Sequence, residues 1–97
     1  MSFTSKLIQA RSNTNVAFFH PSDAVVAKLE EFKAQSKINS YKLNEVSEDG
    51  LTKTMFIEYN TSDDYLNCIQ DDILVESGNA RAAHCASNNI SFSIETD

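Results

Sequence analysis

Cysteine, glycine, proline and positive charge are all scarce in this 97-residue chain. Its two cysteines, Cys68 and Cys85, are too few for a disulfide framework and form no Cys-x-x-Cys pair. They read as small buried apolar side chains, reduced in a cytosol-like compartment. With two glycines, Gly50 and Gly78, there is no glycine-rich phosphate loop. Eight basic residues against fourteen acidic ones leave a formal net charge of -6. That field repels phosphate backbones and anionic bilayers, so neither nucleic acid nor membrane is expected as a partner. No apolar stretch is long enough to span a bilayer, and no basic start followed by an apolar run marks a signal peptide. A cytoplasmic location is the resulting expectation.

What is present suffices for one folded domain over residues 1–97. Hydrophobic residues make up 41% of the chain, which argues against disorder. The clearest local pattern lies in the middle. Ile38 to Val46 and Leu51 to Tyr59 read as extended runs closed by Ser47-Glu48-Asp49-Gly50. Tyr41 and Leu43 share one face of the first run; Leu51, Met55, Ile57 and Tyr59 share one face of the second. Because strand side chains alternate, these sets meet only if opposing positions have the same parity. A three-residue loop, Glu48-Asp49-Gly50, supplies that parity and opposes Leu43 to Met55 and Tyr41 to Ile57. Such a loop wants a left-handed third residue, where glycine costs least.

Helical patterns flank the hairpin. Before it, Pro21 suits a first turn, Ser22 an N-cap and Asp23 the positive dipole end. Val25, Leu29 and Phe32 recur on one stripe, and the helix should stop near Ser36. After it, Thr61-Ser62-Asp63-Asp64 announces a second helix, with Tyr65, Leu66, Ile69, Ile73 and Leu74 as its buried stripe. Gly78 reads as its terminator, followed by a short alanine-rich segment from Ala80 to Ala86. Ile90, Phe92 and Ile94 alternate with polar residues in a last strand. The opening is less regular. Phe3 to Arg11 and Val16 to Phe19 read as one first-strand region broken at 12–15, and the pattern does not decide which piece is central.

The order is strand, helix, strand, strand, helix, strand. Two similar strand–helix–strand halves are how the ferredoxin-like βαββαβ unit is built. The expectation is an α+β two-layer sandwich with an antiparallel or mixed four-stranded sheet. Both helices cover one face, and right-handed crossovers bring the first and third strands together, read here as parallel. Leu43, Met55, Ile57, Phe92 and Ile94 then face the helices. The open face carries Ser40, Lys42, Asn44, Val46, Thr52, Thr54, Phe56, Glu58, Ser91 and Ser93, with Lys42 and Glu58 placed to pair diagonally.

This layout resembles the dimeric ferredoxin-like, or dimeric α/β-barrel, families, whose sheets pack face to face. Those families include small antibiotic-biosynthesis-type monooxygenases, haem-degrading enzymes and stress-responsive proteins. The resemblance lies in element order across most of the chain, not in a motif. It implies a homodimer, for which Lys42, Val46, Thr54, Phe56 and Glu58 are the candidate interface. An RNA-binding sheet on the same topology would need a second exposed ring where Thr54 stands beside Phe56, and a basic surround.

His20, Tyr41, Tyr59 and His84 are the candidate pocket residues, expected to gather at one end of the sheet beside both helix starts. Imidazoles and phenols near a cleft suit acid–base chemistry. Adjacent His84 and Cys85 point different ways on a helix, no His-x-x-x-His pair exists, and no metal or other cofactor is expected. No nucleophile elbow or spaced carboxylate pair appears, so no catalytic residue is assigned and no small-molecule ligand is identified. The reading is a homodimeric binding or structural module. The alternative is a cofactor-independent monooxygenase- or isomerase-like enzyme, with a pocket between helices and sheet.

One consequence is immediate. Gly50→Ala should destabilise the fold by about 1 kcal/mol, because a Cβ clashes in left-handed backbone. Urea unfolding of the variant measures it, and an unchanged midpoint would remove the loop assignment.

Overall fold

Phe3 to Ala10 forms β1, one of the two inner strands of a four-stranded sheet. The computed structural model describes residues 2–97. After β1 come α1 (Asp23–Ala34), β2 (Ile38–Val46), β3 (Thr52–Tyr59), α2 (Ser62–Cys68), α3 (Asp72–Ser87) and β4 (Ser91–Thr96). The sheet order is β2-β3-β1-β4, and every neighbouring pair is antiparallel. This is the ferredoxin-like α+β sandwich, with the helices packed on one face. Leu29 at 0% exposure and Ile38 at 1% mark the core between α1 and the β2–β3 half of the sheet.

The first and third strands are antiparallel, not parallel as the sequence reading had them. The crossover through α1 makes β1 and β2 parallel but leaves a gap between them. β3 returns from the hairpin into that gap and so runs against both.

Val16 to Phe19 is not a strand, because side chains satisfy its backbone. The buried Gln9 amide accepts from the Phe19 N–H at 2.9 Å and donates to its carbonyl at 3.0 Å. Lys53 donates to the same carbonyl at 3.1 Å. Arg11 donates to the carbonyls of Val16 and Gly50 and stacks on Phe18, 4.0 Å from the ring centre. The segment is thereby bound to the end of the sheet without joining it.

In the hairpin, Gly50 is left-handed, with φ of 75°. Tyr41 opposes Ile57 as expected. Nearer the loop the register changes: Val46 opposes Lys53 and Glu45 opposes Thr54, with an irregularity between Lys42 and Glu45. Ser47 donates its N–H to Thr52 at 2.8 Å, so the loop includes Leu51 and is longer than the sequence reading had it. The Asp49 carboxylate accepts from the Ser47 hydroxyl and the Leu51 N–H, which hold it below its ordinary pKa. The longer loop shifts parity by one residue, and the bulge restores it. Val46 therefore shares the face of Lys53, on the helix side, and Glu45 takes the open-face place beside Thr54. Lys42 and Glu58 form no ion pair among the described residues; Glu58 lies 3.5 Å from the Ser40 hydroxyl instead.

The helices end and break for local reasons. α1 follows Ser22, whose side chain makes no capping bond, and closes through left-handed Ser36. The Lys37 N–H then reaches the Phe32 carbonyl at 2.9 Å. Thr61 caps α2 by accepting from the Asp64 N–H. The predicted stop at Gly78 is not there. The break falls between Cys68 and Asp72, where Asp71 caps α3 by accepting from the Ile73 N–H, and Gly78 sits inside α3. Each break resets the helical phase, so the expected continuous stripe does not form. Cys68 is buried, whereas Leu66, Ile69 and Ile73 are exposed.

A Cβ on Gly78 would meet Arg81 Nη2 at 3.5 Å, an ordinary contact, in helical backbone. Gly78→Ala should stabilise the protein by about 0.5–1 kcal/mol, the opposite sign from Gly50→Ala. Side-by-side thermal unfolding of the two variants checks the contrast, and a loss at Gly78 would contradict the packing.

Candidate functional site

Because β1 and β3 run in opposite directions, the four predicted pocket residues divide between the two ends of the sheet. His20 and His84 lie at the end where β1 stops and α1 begins. His20 Nδ1 accepts from the Lys53 amine at 3.0 Å, and His84 Nε2 donates to the Ala17 carbonyl at 2.7 Å. The Phe19 ring stands 6.0 Å from that of His84. Both imidazoles help hold the 17–20 segment. Tyr41 and Tyr59 lie at the other end, where α2 begins. Tyr59 stands six positions along β3 from Lys53, on the order of 20 Å away. Tyr41 donates to the Glu30 carboxylate, and that bond raises the phenol's pKa. Tyr59, 2% exposed, meets Tyr65 edge-on at 5.2 Å, and burial pushes its phenol far above the ordinary range.

What the fold does form is a cleft of about 240 Å³ between the sheet and the helices. Ser5, Leu7, Ile57 and Ile94 contribute to its floor, and Leu74, Gly78 and Arg81 of α3 to its roof. Arg81 is its distinctive member. The guanidinium lies over the Phe92 ring, 4.2 Å from its centre. Its Nε is buried with no hydrogen-bond partner, and burial pushes its pKa down. Sequence reasoning passed over Arg81 as one residue of an alanine-rich helix. No pattern along the chain marked it out.

Tyr59, Tyr65 and Arg81 are the only titratable side chains lining this cleft among the described residues. Such a set can bind and orient a ligand but supplies no group that exchanges protons near neutrality. Among the described residues no three His, Cys, Asp or Glu side chains come together to hold a metal. No helix is long and apolar enough to cross a membrane.

The opposite face of the sheet has its own hollow of about 190 Å³, bordered by Thr4, Ser40, Lys42, Phe56 and Glu58. Phe56 is half-buried at the centre, with the Lys6 amine 5.9 Å from its ring. Thr54 lies on the same face and Val46 does not.

No protein-family model and no curated protein matches the chain by sequence. Solved structures share its fold. Rv0793 from Mycobacterium tuberculosis superposes with a TM-score of 0.59 at 13% identity, over 98% of this chain and 92% of that one. A dimeric ferredoxin-like protein from an uncultured marine organism gives 0.59 at 14%, over 100% and 91%. A protein from Caulobacter crescentus, provisionally named an antibiotic biosynthesis monooxygenase, gives 0.58 at 14%, over 98% and 87%. At these identities the likeness concerns the ferredoxin-like fold alone.

Lys53 offers a direct test of the histidine end. It is 3% exposed, has no acidic partner among the described residues, and burial lowers its pKa from 10.5. A base with a depressed folded pKa binds fewer protons when folded than unfolded. Stability therefore rises with pH between the folded value and about 10.5. Tyr59 acts oppositely above about pH 10, since its raised value favours the protonated phenol. The stability difference between wild type and Lys53→Met isolates the amine. It should move in favour of wild type as pH rises through that window, and a flat difference by urea unfolding would contradict it.

Proposed function

We propose that this chain works as a homodimeric ferredoxin-like binding module, with two copies packed through their open sheet faces and a ligand cleft under the helices of each. The observation that carries the dimer is an uncovered sheet face that is complementary to itself. Ile8 and Phe56 are half-buried on it, with Thr54 beside them. Lys6 and Lys42 share it with Glu45 and Glu58. A two-fold interface needs that mixture, because each patch meets its own copy. Lys42, Thr54, Phe56 and Glu58 form the proposed contact, with Glu45 in the place first given to Val46. Two free, buried cysteines fit a reducing cytoplasm.

A cofactor-independent oxygenase or isomerase is the second reading, and the apolar-walled cleft is what favours it. Among the described residues its lining holds phenols and a guanidinium but no carboxylate or imidazole, so binding is the better-supported role. Sedimentation velocity at micromolar concentration tests the dimer. It should give twice the 10.8 kDa chain mass, with an interface on the order of 1,600 Å². Phe56→Glu should return the species to monomer with unchanged circular dichroism. A wild-type monomer at every accessible concentration would overturn the assembly.

A further inference from the structure

We propose that the cleft between the sheet and α3 takes a small amphipathic carboxylate, its head on the Arg81 guanidinium and its hydrocarbon body along the apolar floor. This deepens the reading of the cleft as a ligand site and rests on it; the dimer is a separate matter, on the other face of the sheet.

The starting point is a cation without an anion. Both ion pairs among the described residues belong to Lys28, with Glu31 and Asp71. Among the described residues Arg81 has no acidic partner, although its Nε is removed from solvent and makes no hydrogen bond. A donor buried without a partner is costly unless something completes it, and the charge it belongs to is half-buried. The guanidinium lies over the Phe92 ring, 4.2 Å from its centre, and a guanidinium is a planar set of donors that matches a carboxylate through two bonds. Gly78 stands beside the guanidinium, where an added Cβ would meet Nη2 at 3.5 Å, an ordinary contact distance.

The rest of the cleft selects the other end of the ligand. Ile69, Val75 and Ile94 line it and remain 40%, 46% and 50% exposed, greasy surface left to solvent among the described residues. A hydrocarbon laid against them removes that surface from water. Length follows from register. Phe92, beneath Arg81, opposes Gln9 of β1, and Ser5 of the cleft floor lies four residues further along that strand, on the order of 13 Å. That is roughly the reach of a medium-chain carboxylate. The volume of about 240 Å³ lies below the ~300–1,000 Å³ of pockets for larger ligands. The head carries one charge. Arg81 is the only cation lining the cleft among the described residues, so a phosphate dianion would keep an unpaired charge inside an acidic chain.

The test uses the full chain at neutral pH, titrated calorimetrically with octanoate and with octanol, which share a tail and differ in head group. Octanoate should bind about tenfold more tightly than octanol, the worth of one charge-assisted pair. Amide shifts should move at Val75, Gly78 and Ile94 and stay fixed at Phe56. Arg81→Met should erase the preference while leaving octanol binding within about threefold. Arg81→Lys, which keeps the charge and the fold if the methionine variant loses it, should retain part of the preference. Equal affinity of wild type for the two probes overturns the role of Arg81 and leaves the cleft as an apolar site. Absence of binding by both at millimolar concentration overturns the ligand cleft itself, as do shifts confined to the open sheet face.

Discussion

Antiparallel pairing of β1 with β3 on one side and β4 on the other is the constraint on which the rest of the molecule depends. Once β3 runs against β1, the start of α1 and the start of α2 must lie at opposite ends of the sheet. That single direction carries Tyr59 away from His20 and brings Lys53 to it. It also leaves the strand faces unequal. One is roofed by helices, and the other is bare. The cleft and the proposed dimer surface are the two sides of the same sheet.

The helix-covered face is less apolar than its role in the core suggests. Ser5, Gln9 and Lys53 are all buried on it. Gln9 acts as a substitute strand for Phe19, exchanging both hydrogen bonds with one backbone unit, and its carbonyl lies 3.9 Å from the Cys85 thiol. Lys53 and Arg11 extend the same fastening to His20 and Val16. These side chains answer where the backbone bonds of an irregular segment go when neither water nor a strand is there to take them. Arg81 is the exception. Its neighbours include an aromatic ring and apolar walls but no acceptor for Nε.

The ferredoxin-like fold hosts unrelated functions, so it constrains what this chain does only through the two surfaces it creates. On the open side, charges of both signs around Phe56 suit contact with a like surface. On the helix side, the break between α2 and α3 exposes Ile69, and Val75 stands exposed at the start of α3; both line the cleft in place of a sealed core. The same local event, Asp71 capping a new helix, thus explains both the exposed apolar residues and the space beneath them.

The element order, the hairpin with left-handed Gly50, the Tyr41–Ile57 pairing and the buried stripe of α1 were determined by the sequence itself. Each depends on periodicity or turn chemistry within a few residues. Tertiary structure decided the rest. Strand direction followed from filling a gap between two distant strands. Val46 changed face because a loop one residue longer was absorbed by a bulge. Val16 to Phe19 stayed out of the sheet because Gln9, Arg11 and Lys53, remote in sequence, satisfied its backbone. Gly78 continued a helix, since a capping Asp71 had already broken it upstream. Arg81 carries no local pattern at all. Its isolation from any carboxylate exists only once α3 lies across the sheet, because burial and the absence of a partner are properties of the space around a side chain and not of its neighbours along the chain.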